Sequence, residues 1–468
     1  MISLILLACG TTVPSQHTDN DTNNPADTSE TSDTDGFQST LPIVLIDTQD
    51  IDVDADDLWD EDGSRAWALV EASFINTNAD GVASFNGTPA FFGLGGMHVR
   101  GNSSAGYDKK SYAFETRDGD GEDLDVSLFG LPEEEDWVLH GPFSDKTLMR
   151  NVLMYTWSTR IGQYASRTQF IELFIEDDGG VLGEEDYRGV YVLMEKIKRD
   201  KNRVDIDELD ETDVAEPEIT GGYLLKKDWV EGGPSTYVNT ETYDDVLLLV
   251  DPDPNEITPE QREWLQDWLN EFETVLAGPD FTNETVGYAA YIDVDSFIDH
   301  HLLVELGRNV DGYVLSTWLY KERSGKLKMG PIWDYNGSLG NADYFQSWDP
   351  EGWHYENPEF PADNPTAYGW YERLFEDPDF VARYASRWAE LRANELSTAS
   401  LMADIDANAT VLAEPAKRNF ERWDILGEYV WPNDGGAEER KSYAEEVDYL
   451  KSWVTARVLW MDQAVLDL

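Results

Sequence analysis

The sequence predicts an α+β protein, with strands crowded into its first half and helices into its second. Three observations carry this. Short β-branched and aromatic runs bounded by Gly, Asp and Asn recur between residues 41 and 225. After residue 258 apolar side chains recur at helical spacing, as in Trp264, Leu265, Trp268, Phe272, Val275 and Leu276. Between the later helices, residues 317–322 and 326–333 are β-rich runs joined by Arg323-Ser324-Gly325, which reads as a hairpin. Runs of strands followed by runs of helices are the α+β pattern.

The first 40 residues stand apart from this. Residues 1–9 form a short apolar run ending in Leu6-Leu7-Ala8-Cys9, which fits the lipobox of a bacterial lipoprotein signal segment with Cys9 acylated. Cys9 is the one cysteine, so no internal disulfide can form. Residues 10–40 are dense in Thr, Asp, Asn and Ser and bury too little to fold, which predicts a flexible acidic tether. Together they predict a secreted lipoprotein anchored to the cell envelope.

Order is expected from Leu41, whose β-branched run to Ile46 opens a folded domain over 41–468. Strands at 67–74 and 96–100 follow. Gly93, Gly95 and Gly96 could let backbone amides approach a phosphate, although their spacing is not GxGxxG. Ser144-Asp145-Lys146-Thr147 caps a helix over 148–162, and strands over 169–176 and 187–198 come next. Another strand follows Gly221-Gly222. Thr258-Pro259-Glu260-Gln261 is a capping box with proline at the first helical position, and Gly278-Pro279 ends that helix. A helix over 295–307 carries His300 and His301, whose adjacency points them to different faces and argues against a metal pair. Helices over 371–375, 380–394 and 401–420 close the fold.

The helix over 295–307 delivers the chain to the hairpin, and each end of the hairpin carries an acid among turn residues. Asp311 lies in Asn309-Val310-Asp311-Gly312, and Asp334 lies in Trp333-Asp334-Tyr335-Asn336-Gly337. A two-stranded ribbon with an acid at its entrance and another at its exit brings both to one end. Phosphoryl transfer from a nucleotide uses such a pair: one carboxylate orients or deprotonates the acceptor hydroxyl, and the other holds Mg²⁺. Asp beside Gly is also ordinary turn chemistry, and spacing alone leaves both readings open.

The segment resembles the core of the CotH kinase family, atypical relatives of protein kinases, in its Asn-x-Asp-Gly loop, strand pair and Pro331-Ile332-Trp333-Asp334-Tyr335 run. Arg100-Gly101-Asn102-Ser103-Ser104 with Lys109-Lys110-Ser111-Tyr112, and Asp145-Lys146 with Arg150-Asn151, are similar to further motifs of that family. The resemblance spans roughly residues 41–423. It implies a two-lobed kinase-like fold, with a β-rich N-lobe over 41–225 and a mainly helical C-lobe over 226–468. It implies Asp311 as the catalytic aspartate, Asp334 with Asn336 as ligands of Mg²⁺ or Mn²⁺, and Lys110 and Arg100 as the cations facing the phosphates of ATP. Lys109 reads instead as a surface ion-pair residue. Glu195 becomes the acid for a kinase-type ion pair or a metal-proximal position, the alternative being pairing with Lys198 or Arg199. Arg150 and Asn151 either orient loops near the nucleotide or serve an Asp145–Arg150 link. The chain departs from the family pattern at Ser316, where Asn is usual, and at Asn336, where an acid is usual.

Charge bounds the partners. With 94 Asp+Glu against 34 Lys+Arg, the formal net charge is −60, which repels nucleic acid and excludes it as a partner. A hydrophobic content of 41% with 17 Trp and 22 Tyr supplies a substantial core. The acidic run over 118–125 has calcium-ligand residue types without EF-hand spacing. The expected activity is transfer of the ATP γ-phosphoryl group to Ser or Thr of a protein on the cell surface or envelope. Two alternatives stay open: a degenerate kinase fold serving as a surface scaffold, and a metal-dependent hydrolase using the same acids.

Overall fold

The computed structural model describes residues 36–55, 65–230, 233–357 and 368–468. The lipobox and tether residues 1–35 lie outside them. In chain order the first half contains β1 (Gln38–Ser39), β2 (Ile43–Asp47), β3 (Ala68–Ile75), β4 (Ala83–Ser84), β5 (Phe91–Arg100), β6 (Ser111–Arg117), β7 (Asp136–His140), α1 (Arg150–Arg160), β8 (Thr168–Glu176) and β9 (Tyr187–Glu195). Seven of these strands close into a barrel in the order β2-β3-β5-β6-β7-β9-β8. β2 seals it by pairing antiparallel with β3 and parallel with β8. Alternation drives the closure: β3 turns Val70, Ala72 and Phe74 inward and Leu69 and Glu71 outward. The interior is filled by Val44, Ile46, Phe114, Trp137 and Leu193.

Order begins before Leu41, a correction to the tether boundary. Gln38 and Ser39 pair with β4, and Phe37 packs edge-on against Phe174 with ring centroids 4.9 Å apart. One aromatic residue at the end of the polar stretch suffices to dock it.

Gly93, Gly95 and Gly96 form no phosphate loop. They sit inside β5, where Gly93 pairs with β3 and Gly95 and Gly96 pair with both β3 and β6. A Cβ on Gly95 would lie 2.7 Å from the Phe114 ring and 2.8 Å from the Glu115 carbonyl oxygen, so these glycines let a ring pack against the strand. Gly95→Ala is therefore expected to lower stability by about 1–3 kcal/mol, the range for overpacking a tight core, measurable as a reduced thermal midpoint.

The second half adds β10 (Tyr223–Lys227), β11 (Tyr237–Asn239), β12 (Val246–Asp251), α2 (Pro259–Ala277), α3 (Val294–Gly307), β13 (Thr317–Lys321), β14 (Leu327–Met329), α4 (Tyr368–Leu374), α5 (Pro378–Ala393), α6 (Thr398–Leu412), α7 (Pro415–Arg422) and α8 (Tyr443–Ala464). Its five strands form one sheet, β11-β12-β10-β13-β14, so the expected boundary at residue 225 cuts through a strand that belongs wholly to the second sheet. The capping box at Thr258 and Gln261 forms as expected. The helix expected over 401–420 is two helices, because Pro415 starts a new one at its first turn. α1 starts two residues later than expected, and Asp145 acts in place of a cap by accepting the Arg150 amide at 2.8 Å. α8, unanticipated, buries Leu450, Val454, Val458 and Met461 along one stripe. His300 and His301 are buried and bond to different tyrosines, Tyr371 and Tyr384, and burial drives the His300 pKa down to about 3. They form no metal pair. Among the described residues no helix is long and apolar enough to cross a membrane.

Candidate active site

β13 and β14 pair antiparallel with Leu319 opposite Met329, so the loop entering β13 and the loop leaving β14 meet at one end of the ribbon. This is where Asp311 and Asp334 come together, as the sequence implies. α3 leads in: Arg308 caps it in the left-handed region at φ 46° and turns the chain into Asn309. The Asp311 carbonyl then accepts the amides of Val314 and Leu315 at 3.1 and 2.9 Å, a compact turn that fixes the main chain at the acid. Two residues on, the Tyr313 hydroxyl donates to Glu305 at 2.9 Å. Glu305 is fully buried on α3, pairs with Arg457 of α8 at 3.1 Å and receives the amides of His354 and Tyr355. The Asp311 turn is thereby tied into the helical core.

Asp334 is left-handed at φ 60°, a conformation that costs a non-glycine residue about 1–2 kcal/mol unless its surroundings hold it. Three bonds do so. Its amide donates to Tyr155 Oη at 3.1 Å, its carbonyl accepts from Asn309 Nδ2 at 3.2 Å, and the next amide, Tyr335, donates to Asn151 Oδ1 at 2.7 Å. Arg150, buried at the start of α1, pairs with Asp145 at 2.5 Å and donates from Nε to the Ser338 carbonyl at 3.1 Å. Arg150 therefore makes the Asp145 link and also ties down the loop after Asp334.

The two side chains are electrostatically joined and otherwise bare. No hydrogen bond from a described residue reaches either carboxylate. Burial, then the charge of Asp334, then that of Asp228, pushes Asp311 up to about 7. Burial also raises Asp334, opposed by the Arg100 guanidinium. Arg100 ends β5 and lies over the Trp333 ring at 5.7 Å, and it makes no ion pair or hydrogen bond with the described residues. Its pKa is lowered by burial, with Asp334 as the leading charge that offsets this. Arg100 is thus brought to the pair.

Lys110 and Glu195 are not. Lys110 precedes β6 and tucks under the turn at Ser104–Gly106, donating to the Ala105 carbonyl at 2.7 Å, and its charge is felt at Asp54. Glu195, fully buried, lies between Arg167 at 2.7 Å and Arg203 at 3.4 Å. It is an ion-pair centre, with partners other than Lys198 and Arg199, which neutralise Glu134 and Glu135, and Glu208 and Asp251, respectively. Lys109 is no surface residue. It is buried, donates to the Val190 carbonyl at 2.6 Å and to Asn419 Oδ1 at 2.8 Å, and so pins β9 to α7. Asn336 is half-buried two residues beyond Asp334, and its carbonyl accepts from Asn341 Nδ2 at 2.8 Å.

Sequence reasoning passes over Asp228. Lys227, the last residue of β10, pairs with Thr317, the first of β13, which places Asp228 just past that end of the ribbon, on the side of the Asp311 turn. Its charge raises both acids. Only the strand register reveals it. Tyr107 and Tyr344 also feel both carboxylates, and Tyr107 belongs to the same motif as Arg100. The acids form no closed cage: among the described residues, the group of three acids with oxygens within 4.8 Å of one another is Asp125, Glu134 and Glu135, where Lys198 already pairs with the two glutamates. An open carboxylate pair suits Mg²⁺, which takes one or two protein acids and completes its shell with water and substrate phosphate. Two carboxylates without hydrogen-bond partners, each raised by burial and by the charge of Asp228, gain when a hard cation binds, so the donor set fits such an ion.

No curated protein matches the chain. The family model described as CotH kinase protein matches residues 97–461 and so covers the hairpin, both acids, Arg100 and the helices that hold them. The chain belongs to the CotH kinase family, a kinase-like group of proteins.

Proposed function

We propose that the protein is an extracytoplasmic kinase that transfers the γ-phosphoryl group of ATP to a Ser or Thr hydroxyl of a surface protein. The observation that carries this is the meeting of Asp311, Asp334 and Arg100 at one end of the hairpin, with neither acid satisfied internally. Asp334, with Asn336 beside it, would hold Mg²⁺ or Mn²⁺. When bound, that ion neutralises charge on the transferring phosphoryl group. Arg100 offers a planar fork of donors to phosphate oxygens. Asp311, raised toward neutrality, is suited to accept the proton of the acceptor hydroxyl. Asp228 adds negative charge that keeps Asp311 a competent base. The lipobox at Cys9 supports action outside the cytoplasm, with the tether holding the folded part off the membrane.

The test is transfer of label from γ-labelled ATP, with Mg²⁺ or Mn²⁺, to a Ser-rich substrate and to the protein itself. Wild type is expected to transfer label and Asp311→Ala and Asp334→Ala to lose it. No label with either metal from a folded protein would overturn the enzyme and favour a binding scaffold, the reading that Ser316 and Asn336 support. Equal label from all three proteins would place the site elsewhere.

A further inference from the structure

Asp334 holds its left-handed conformation through main-chain bonds to its neighbours, and one of these leads outward to a histidine. Tyr335 N donates to Asn151 Oδ1 at 2.7 Å, and Asn151 Nδ2 lies 3.3 Å from His140 Nε2. An amide next to a main-chain N–H must present its oxygen there, which leaves its NH₂ facing the imidazole. His140 Nε2 must then be the acceptor, so the ring is neutral with its proton on Nδ1. The surroundings favour that state: His140 is half-buried at the end of β7, and desolvation of the ring, with the nearby cations Arg100 and Lys109 opposed by Asp145 alone, lowers its pKa to about 4.

We infer that His140 and Asn151 are positioning residues that form a two-step relay setting the orientation of Asp334. The barrel contributes His140, α1 contributes Asn151, and the hairpin loop receives the bond, so the relay also ties the barrel to the acid pair. This rests on the reading of Asp334 as a cation ligand. A partner behind a metal ligand typically controls affinity 10–100-fold while never touching the ion.

The experiment titrates purified protein with Mn²⁺ alone, following free Mn²⁺ by electron paramagnetic resonance, with thermal unfolding in parallel. Wild type is expected to bind and Asp334→Asn to lose binding. Asn151→Leu and His140→Leu are expected to weaken binding about 10–100-fold. His140→Gln, whose Oε1 can accept the same Asn151 proton, is expected to restore most of it. Wild-type affinity in both leucine variants would overturn the relay and leave Asp334 as a ligand. Equal loss in His140→Leu and His140→Gln would also overturn it, because filling the space would then matter and accepting a proton would not. Wild-type binding unaffected by Asp334→Asn would overturn Asp334 as ligand, and the relay with it. If Asn151→Leu fails to fold, the His140 pair decides.

Discussion

Asp311→Asn is expected to stop phosphoryl transfer and, at pH 8, to make the folded protein more stable. Loss of a general base costs about 10²–10⁴-fold in rate. The gain in stability follows from linkage. The folded-state pKa is raised to about 7, above that of the unfolded chain, so the native state binds the proton more tightly. Below pH 4 the group is protonated in both states and carries no penalty. As pH rises through 4 to 7 the unfolded chain ionises freely while the folded site resists, and above 7 the full penalty stands. For a dry site this penalty would reach about 4 kcal/mol, and the partial solvent access of Asp311 reduces it to about 1–2 kcal/mol. Thermal unfolding should show the variant ahead of wild type at pH 8 and level with it near pH 4. A wild-type midpoint that matches the variant at both pH values would mean that Asp311 is not under this strain. The same pKa predicts that kcat/KM of the wild type climbs with pH along an acidic limb near 7.

Arg457→Met is expected to be among the most damaging single substitutions in the chain, costing about 3–5 kcal/mol, the usual penalty for stranding one partner of a buried ion pair. Arg457 and Glu305 are both fully buried and 3.1 Å apart, and Arg457 also donates to the carbonyls of Glu305, Pro350 and Gly352. Removing the guanidinium leaves an ionised carboxylate in the core at the point where Tyr313 hangs from it. The Asp311 turn should loosen with the fold, so transfer should fall even in the molecules that remain native. Adding Glu305→Gln to Arg457→Met should recover part of the loss, because the uncompensated charge is gone. Calorimetric unfolding of the single and double variants checks both statements. A single variant within 1 kcal/mol of wild type would show that the core tolerates the bare acid.

What could be read in advance was what depends on neighbours in sequence. The hairpin, its two acids and the capped helix at Thr258 are local patterns, and each forms near its expected place. Arg100 was also legible, through a motif. The rest depends on pairings between distant segments. The barrel exists because β2 finds β8, and nothing in either strand names the other. Asp228 joins the site through the register of β10 on β13, and in sequence it is one more acid among 94 acidic residues. Glu195 and Lys109 were misjudged because tertiary packing chooses their partners: Arg167 lies 28 residues before Glu195, and Asn419 lies 310 residues beyond Lys109. In a chain this acidic, an isolated acid or base says little until its partner is known.

The parallel seam between β2 and β8 has a mechanical meaning. The chain enters the folded part beside that seam, where Phe37 is covered by Arg418, and Arg418 pairs with Glu172 of β8. β2 is hydrogen-bonded on both sides, so once the short β1–β4 pairing gives way a pull on residue 36 meets two ladders and a clasp from α7. A load applied at residue 36 would therefore reach the barrel through Phe37 and the Arg418–Glu172 pair before it reached β2 itself.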